Sequence, residues 1–353
     1  MRLLILTQKV DQNDSVLGFF HTWLKLFALY AKEEGEKITV ICLEKGSYDL
    51  PENVEVYSLG KERGRSKLRY IFNFYRLILG KWNHYDRVFV HMNPTYLVLG
   101  GLLWRVGGKK TLLSYTHRYV DWKLRIAEKV VNKIVTAAPE SFRISSKKVK
   151  VIGMGIDVAQ FYNPEERLVP VHDPVRIISV GRITKIKNLD TLVEATNLLN
   201  EKGIRMNLTL IGSPVQPEDV SYKAYLEELV KKHHLEEQVH FSGSVPNKEV
   251  AKHYWDADLS VNLAPTGGID KAVLESMAAG LPVLVSNKAF GPYFTPLWER
   301  FNFKERDPQD LALKIKNLIE STDLKKISKA LVGVAQLKAG FSKVVKSIRE
   351  ELN

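Results

Sequence analysis

Short runs of apolar residues, each suited to a buried strand, alternate with longer segments whose apolar residues recur at helical spacing. In the first half of the chain the pattern predicts strands at Arg2–Leu6, Ile38–Leu43, Val54–Ser58, Arg87–His91, Lys110–Ser114 and Ile134–Thr136. The helices predicted between them are Gly18–Glu34, Leu68–Leu79, Tyr96–Arg105 and Trp122–Val131. Because alternating strands and helices form parallel sheets covered on both faces, this pattern predicts a doubly wound α/β domain.

A second set of alternating segments begins at Val175. Its predicted strands are Arg176–Val180, Asn207–Ile211, Val239–Ser242, Leu259–Asn262 and Pro282–Val285, and its predicted helices are Leu189–Lys202, Tyr222–His234, Asn247–Ala257 and Lys271–Ala279. The stretch Asn163–Pro170, with Pro174, is typical of a hinge. We therefore expect Rossmann-like domains at residues 1–165 and 166–335. Residues 336–353 are expected to form a charged amphipathic helix that crosses back to the first domain.

The composition is that of an ordinary globular protein. The chain has 353 residues, of which 45% are hydrophobic and 26% charged, and this length suits two domains with ample cores. Cys42 is the single cysteine, which excludes an internal disulfide and a cysteine-based zinc site and fits a reducing cytoplasm. Its place in an apolar run predicts a small buried residue rather than a nucleophile.

The sequence contains no recognisable export signal or membrane span. Met1–Leu6 is too short for a signal segment and directly precedes polar residues. The longest apolar stretch, Tyr96–Trp104, has about half the length of a bilayer span. We therefore expect a cytoplasmic protein, or one bound peripherally to the inner face of the membrane.

The net charge of +12 is large and unevenly distributed. The segment Lys61–Trp82 contains seven cations, one acid and many aromatic and aliphatic residues. Such a segment suits an anionic membrane surface or an acidic lipid-phosphate acceptor, and equally a core helix with a solvated basic face. Nucleic acid is a less favoured partner, because no nucleic-acid-binding module is recognisable.

Two motifs in the second half of the chain predict the kind of ligand that the protein binds. Gly181–Lys187 follows an apolar strand and places Arg182 and Lys187 at the start of a helix. Gly267–Glu275 is a Gly-Gly turn that opens another helix, with a carboxylate further along. Cations together with helix N-terminal amides form an anion site, and pyrophosphate commonly binds at strand carboxyl ends in α/β folds. A carboxylate set back from that site suits sugar hydroxyls, so the two motifs predict a nucleotide-sugar site.

Further motifs, in order and spacing, resemble those of the retaining glycosyltransferases of the GT-B fold, family 4 type, over nearly the whole chain. They are Gly153–Asp157, Val180–Arg182 with Lys187, Leu210–Gly212, Val239–Val245, Asp256–Asp258 and Leu274–Val283. The resemblance implies two Rossmann-like parallel-sheet domains that face across a cleft. It also implies a nucleoside-diphosphate sugar as co-substrate, bound mainly by the second domain, and no other cofactor.

The resemblance assigns roles to individual residues of this sequence. Arg182 and Lys187 would hold the diphosphate and stabilise the charge that builds on the leaving phosphate. Glu275 would accept hydrogen bonds from the ribose hydroxyls. The plainer alternatives are two solvated cations at a helix start and an ordinary exposed glutamate. Cations are disfavoured at a helix N-terminus unless an anion binds there. The full set expected to bind the donor is Gly18, Gly181, Gly212, Val245, Gly267, Gly268, Ile269, Asp270, Lys271, Leu274 and Glu275.

The sequence departs from the family at one position. Eight residues before Glu275, where relatives carry a glutamate close to the transferred sugar, stands Gly267. Asp270 could take over the hydroxyl contact, the amides of Gly268, Ile269 and Asp270 could hold the sugar, or Asp270 could be merely a helix N-cap. We favour sugar contact through the amides, with Asp270 capping or assisting.

In the first half, Gly18 opens the first helix and would let the backbone approach phosphate. His117 follows a strand and resembles the family's histidine near the reacting sugar. The resemblance would give it a catalytic role, and the alternative is a structural histidine. His91 and Asn93 also end a strand and are candidate acceptor contacts. No metal site is expected, because the Asp256–Asp258 pattern precedes a strand rather than ending one.

We therefore expect a metal-independent, retaining glycosyltransferase that moves a hexose-type sugar to a glycan or lipid-linked acceptor hydroxyl. The leaving phosphate itself would help to deprotonate the acceptor. A nucleotide-sugar-binding protein that lost turnover with the first glutamate is the main alternative. A nucleotide-sugar epimerase of the same fold is a weaker one, because it needs paired acid and base groups around the sugar and only His117 and Asp270 are candidates.

Overall fold

The computed structural model describes residues 2–14, 17–163 and 171–353. Within it the chain forms two compact units, Met1–Gly155 with Phe341–Asn353, and Ile156–Gly340. The predicted hinge falls mainly on residues 164–170, and so does the predicted domain boundary, so both lie outside the described residues. Each unit is an α/β domain with its own parallel sheet.

The strands are β1 Leu3–Val10, β2 Ile38–Lys45, β3 Val54–Ser58, β4 Arg87–His91, β5 Lys110–Ser114, β6 Lys133–Thr136, β7 Val149–Val151, β8 Val175–Val180, β9 Met206–Ile211, β10 Val239–Gly243, β11 Leu259–Asn262 and β12 Val283–Val285. The helices are α1 Phe19–Glu33, α2 Lys67–Gly80, α3 Thr95–Val106, α4 Trp122–Val130, α5 Val158–Phe161, α6 Leu189–Asn200, α7 Pro217–Lys232, α8 Asn247–Asp256, α9 Lys271–Ala278, α10 Gly291–Phe294, α11 Trp298–Phe301, α12 Pro308–Ile319, α13 Leu324–Ala339 and α14 Phe341–Leu352.

The first unit is a seven-stranded parallel sheet in the order β3-β2-β1-β4-β5-β6-β7. Successive residues of a strand point to opposite faces of the sheet, so each strand contributes side chains to the core on either face. On one face α1 and α14 cover Leu3, Ile5 and Phe89. On the other face α2, α3 and α4 cover a second core that contains Leu4 and Leu6. The terminal helix α14 thus completes one of the two layers of the first unit.

The second unit is a five-stranded parallel sheet in the order β10-β9-β8-β11-β12. The order of strands reverses between β8 and β11, and in open α/β sheets ligands bind beside the carboxyl ends of strands at such a reversal. Here the backbones after β8 and β9 come close together. A Cβ atom on Gly212, where φ is +141°, would lie only 1.9 Å from the carbonyl oxygen of Gly181. Glycine at 212 therefore permits this close approach.

The strands and helices expected from periodicity are present, with differences at their ends. Strand β1 continues to Val10, beyond the predicted end at Leu6, because Lys9 and Val10 still pair with β2. Helix α7 begins at Pro217 rather than Tyr222, since Gln216 and Asp219 form a capping box around a proline suited to a first turn. Strand β7 and helices α5, α10, α11, α12 and α13 were not predicted. The helix expected over residues 336–353 is present as α14 from Phe341 onward, whereas residues 336–339 belong to the end of α13.

Among the described residues, no helix combines the length and the hydropathy that crossing a bilayer requires.

Replacing Gly212 by alanine should separate the β8 and β9 ends. We expect Gly212→Ala to lower the free energy of unfolding by about 2–4 kcal/mol, because the backbone must move to relieve the overlap. Gly333→Ala is the matched control: Gly333 lies inside α13 with nothing within 4 Å of an added Cβ. That change should raise the free energy of unfolding by about 0.5–1 kcal/mol. Equal effects of both changes in denaturant titrations would contradict this account.

Candidate functional site

The candidate site lies in the second unit, where the strand order reverses. A pocket at the carboxyl ends of β8 and β11 is lined by Ser179, Val180, Gly181, Arg182, Ile183, Lys187, Leu189, Leu210, Ile211, Asn262 and Leu263. Both cations expected from the sequence, Arg182 and Lys187, therefore line one pocket. Arg182 is exposed and Lys187 is half-buried.

Lys187 is the last residue of a short 3₁₀ turn, Lys185–Lys187. Asn188 ends the turn in the left-handed conformation, with φ of 46°, which asparagine tolerates better than most residues. Its side-chain amide donates to the carbonyl of Leu263 at 3.1 Å, and its oxygen accepts from Nε of Arg306 at 3.1 Å. Buried Asn188 thus joins the turn after β8 to the segment after β11.

Lys187 is held by a carboxylate from the second motif. Its ammonium group forms an ion pair with Oδ2 of Asp270. The same oxygen accepts a hydrogen bond from Nδ2 of Asn262 at 3.0 Å, and Oδ1 accepts from the amide of Ala272 at 3.3 Å. Burial by itself would raise the pKa of Asp270, but the Lys187 charge and these hydrogen bonds outweigh it and lower that pKa. Asp270 is therefore an ionised N-cap of α9 that also fixes Lys187.

The Gly267–Gly268 turn is clamped by Asn287, whose side chain is fully buried. Nδ2 of Asn287 donates to the carbonyl of Gly268 at 2.8 Å, and its Oδ1 accepts from the amide of Gly267 at 3.4 Å. Among the described residues, the backbone amides of Gly268, Ile269 and Asp270 donate no hydrogen bond. Three consecutive amides without acceptors precede α9, which is the arrangement that binds anions and oxygen-rich ligands.

Glu275 lies on the buried side of α9, with 8% of its surface exposed. Its Oε2 accepts from the hydroxyl of Tyr254 at 3.3 Å. Burial raises the pKa of Glu275 to about 7 and lowers the pKa of Lys271, four residues earlier on the same helix, to about 8. This carboxyl group can therefore accept or donate a hydrogen bond near neutral pH, unlike an ordinary surface glutamate.

The other residues expected to bind the donor occupy different environments. Gly181 and Gly212 lie at the ends of β8 and β9, beside the pocket. Val245 follows β10 and is half-buried. Leu274 is fully buried in the core of the unit. The donor roles of these residues stay predictions.

Sequence reasoning missed the three asparagines Asn188, Asn262 and Asn287. All three are buried, and each hydrogen-bonds a neighbouring segment of the site: Asn188 bonds Leu263, Asn262 bonds Asp270 and Asn287 bonds Gly268. A signal was available for two of them, since Asn262 ends β11 and Asn287 follows β12 closely. Polar residues at the carboxyl ends of parallel strands commonly face the ligand site, and that criterion would have found both.

In the first unit, Gly18 immediately precedes α1. Its amide donates to the carbonyl oxygen of Asp14 at 3.0 Å, and a Cβ atom would lie 2.5 Å from that oxygen. Glycine at 18 therefore permits this close approach to Asp14, and the phosphate contact stays a prediction.

The candidate acceptor residues follow β4. His91 is buried, its ring is stacked on Phe20 with centroids 4.0 Å apart, and its Nδ1 lies 3.3 Å from Oγ1 of Thr7. Asn93 is half-buried and donates from Nδ2 to Gln8 at 3.1 Å. Their acceptor roles stay predictions.

His117 follows β5 and is exposed. Desolvation by the surrounding protein lowers the pKa of its imidazole below the ordinary value. The neutral ring, with one donor and one acceptor nitrogen, is therefore its main form near neutral pH.

No group of three or more His, Cys, Asp or Glu side chains suited to a metal ion occurs within the described residues. The Asp256–Asp258 pattern has a structural role instead. A carboxylate oxygen of Asp258 accepts from the amide of Arg176 at 2.8 Å and the other lies 2.8 Å from Nδ1 of His172.

Part of the chain, including the candidate site, matches a known protein family. Residues 164–330 match the family model described as "Glycosyl transferases group 1". A putative colanic acid biosynthesis glycosyltransferase, WcaL of Escherichia coli K12, is 33% identical over 39% of this chain and 34% of its own length. The amylovoran biosynthesis glycosyltransferase AmsK of Erwinia amylovora is 32% identical over 40% of this chain and 34% of its own. The aligned part thus spans about a third of these relatives, and within it the matches support the group 1 glycosyltransferase family.

Solved structures resemble the chain over its full length. Anabaena HepE in complex with UDP superposes with a TM-score of 0.77 at 16% identity, covering 100% of this chain and 99% of that one. Sucrose-phosphate synthase from Thermosynechococcus elongatus superposes with a TM-score of 0.76 at 15% identity, covering 99% and 98%. This likeness confirms the predicted fold class, the paired Rossmann-like domains of the GT-B glycosyltransferases.

Buried Glu275 should make stability depend on pH. Its pKa is raised from 4.5 to about 7, so the folded protein binds this proton more tightly than the unfolded chain does. The free energy of unfolding should therefore fall as pH rises through that interval, by up to about 3 kcal/mol. Glu275→Gln should remove this fall, as seen in denaturant titrations at several pH values.

Glu320→Gln, at an exposed glutamate just after α12, is the control and should keep the wild-type pH dependence. An unchanged pH dependence in Glu275→Gln would show that Glu275 does not titrate in the predicted range.

Proposed function

We propose that the protein is a retaining glycosyltransferase that moves a hexose-type sugar from a nucleoside diphosphate to a hydroxyl of a glycan or lipid-linked acceptor. The observation that carries the proposal is the pocket beside β8 and β11. Two cations, Arg182 and Lys187, line this pocket. The ion pair of Lys187 with Asp270 brings it next to the start of α9, where three amides have no acceptor among the described residues. Because the solved HepE complex holds UDP, UDP-sugars are the first donors to test.

The pyrophosphate would bind between the cations and the N-terminus of α9. Departure of the sugar leaves one further negative charge on the phosphate, so fixed cations favour the transition state over the ground state. Lys187 meets the requirement of being fixed, because Asp270 and the 3₁₀ turn hold its chain in place. Arg182 is exposed beside it and would close onto the phosphate.

The donor sugar would be held by the amides of Gly268, Ile269 and Asp270, in place of the glutamate that relatives carry at position 267. Support comes from Asn287, which fixes the turn through Gly267 and the carbonyl of Gly268, while these amides have no acceptor in the part of the chain that the structure describes. Glu275 would hydrogen-bond the ribose hydroxyls, and its raised pKa lets it act as donor or acceptor. Lys271, whose pKa is lowered to about 8, would add a cation close to the diphosphate.

Transfer would proceed on the face from which the phosphate leaves, with a phosphate oxygen taking the proton of the acceptor hydroxyl. The carboxylate of Asp270 is a poor nucleophile, because it is paired with Lys187 and accepts two further hydrogen bonds. In the first unit, exposed and neutral His117 would hydrogen-bond a sugar hydroxyl, and Asn93 with His91 would contribute on the acceptor side.

A second candidate function has one observation in its favour. Gly267 stands where relatives carry a carboxylate, so the protein could bind a nucleotide sugar without turning it over. Product formation separates the two: glycosylated acceptor supports transfer, and a donor-induced rise in melting temperature without product supports binding alone.

The two cations can be tested against a lysine from the same turn. We expect Lys187→Ala and Arg182→Ala to lower kcat/KM for transfer by about a hundredfold or more, because each removes charge that stabilises the leaving phosphate. Lys185→Ala is the control, because Lys185 lies in the same 3₁₀ turn but does not line the pocket. Near-normal turnover and UDP affinity in both pocket variants would overturn the proposed site.

Asp270→Asn tests the proposed anchoring of Lys187. Asparagine can still cap a helix, but it carries no charge and so cannot form an ion pair with the ammonium group of Lys187. We expect kcat to fall about tenfold, because Lys187 loses its fixed position, while UDP binds as well as before or better. Asp307→Asn, at the matched N-cap of α12, should change neither value. Loss of UDP binding without loss of kcat would contradict an anchoring role.

Metal independence is a separate prediction. Transfer measured after removal of divalent ions with a chelator should retain its rate, since cations and amides of the protein would carry the diphosphate charge. Loss of activity on chelation, with recovery on addition of Mg²⁺ or Mn²⁺, would show that a metal ion takes part.

A further inference from the structure

The outer side of α2, α3 and α4 in the first unit is apolar as well as basic. These three helices form one layer over one face of the sheet. The hydroxyl of Tyr75 in α2 donates to the carbonyl of Leu99 in α3 at 3.0 Å, and Arg105 in α3 donates to the carbonyl of Lys129 in α4 at 3.1 Å. The three outer sides therefore make one continuous surface, here called the basic layer.

Large apolar side chains are exposed throughout the basic layer. Leu68 is 79% exposed, Phe72 58%, Val106 82% and Trp122 61%. The complete set is Leu68, Ile71, Phe72, Leu79, Leu102, Leu103, Val106, Trp122 and Ile126. On the opposite side of the same sheet, only Leu29 of the described residues of α1 and α14 is exposed in this way. Apolar exposure on this scale marks an interaction surface.

The charge of the basic layer is almost entirely positive. Helices α2, α3 and α4 carry seven cations and a single acid, Glu128. That acid accepts a hydrogen bond from Ser146 at 2.7 Å, so it is already engaged within the protein. The guanidinium of Arg69 lies 5.5 Å from the ring centre of Phe72, which places a cation directly beside an exposed aromatic.

We propose that the basic layer docks the protein on the surface of an anionic phospholipid bilayer. Exposed aliphatic and aromatic side chains can enter the headgroup region while the surrounding cations contact lipid phosphates. A protein partner fits less well, because the cores of protein interfaces are depleted in charge, and here cations lie among the apolar residues. Nucleic acid fits less well too, because leucine and valine gain nothing from a phosphate backbone.

This proposal extends the expectation for Lys61–Trp82, because only the folded unit brings α3 and α4 beside that segment. It does not depend on transfer activity. Vesicle binding is measured without donor or acceptor, so an inactive protein could still bind vesicles, and an active one could fail to do so.

The test is sedimentation of the full chain with vesicles of phosphatidylcholine alone or of equimolar phosphatidylcholine and phosphatidylglycerol. We expect binding to the anionic vesicles to be at least about tenfold tighter, and to weaken as salt is added. Trp122 is the one exposed tryptophan of the six, all of which lie in the described part of the chain. Its fluorescence should shift to shorter wavelength on binding, and Trp122→Phe should remove the shift.

Two double variants separate the contributions of charge and apolar contact. Arg69→Glu with Arg76→Glu should weaken binding to anionic vesicles by about tenfold or more. Leu68→Ser with Phe72→Ser should weaken binding while its salt dependence remains. All four side chains are exposed, so melting temperatures should stay near the wild-type value.

The matched control is Leu29→Ser with Lys32→Glu on the opposite side of the sheet, which should bind vesicles like the wild type. The proposal is overturned if the wild type binds neither kind of vesicle or if the control loses as much binding as the α2 variants. It is also overturned if the wild type binds a DNA duplex or self-associates through these residues but does not bind vesicles.

Discussion

The ion pair between Lys187 and Asp270 is the contact on which the candidate site depends. It joins the turn after β8 to the start of α9, two segments that are far apart in the chain. Hydrogen bonds from Asn262 and from the amide of Ala272 complete the shell of the carboxylate. A cation held in this way needs little reorganisation when an anion arrives, which is the condition for electrostatic catalysis.

The surroundings of this pair are built from buried amide side chains. Asn188 and Asn287 each donate to a backbone carbonyl of the segment after β11 and accept from another group. Asparagine is suited to this task because it has both donor and acceptor and adds no charge. The result is a rigid turn whose amides at Gly268 to Asp270 remain without acceptors among the described residues.

The two sides of the sheet in the first unit differ in the charge and the apolar exposure of their outer surfaces. The α1 and α14 side has mixed charges and little exposed apolar surface, whereas the α2, α3 and α4 side is basic and apolar. Since both layers cover equally buried cores, core packing does not require this difference. The difference between the two layers lies entirely in their outward-facing side chains, which can contact an external partner.

Periodicity in the sequence was sufficient to predict two parallel-sheet domains, most of the strands and the terminal helix. Buried strands and amphipathic helices can be predicted in this way because they are local patterns. Motifs with a fixed relation to a strand or helix also led to Arg182 and Lys187, which line one pocket, whereas the role of Glu275 stays a prediction. Local patterns could not show that Asp270 pairs with Lys187, because that contact joins positions 83 residues apart. Local patterns also could not show that α2, α3 and α4 lie side by side. Contacts between segments distant in the chain arise only when strands align, and the tertiary structure alone decided them.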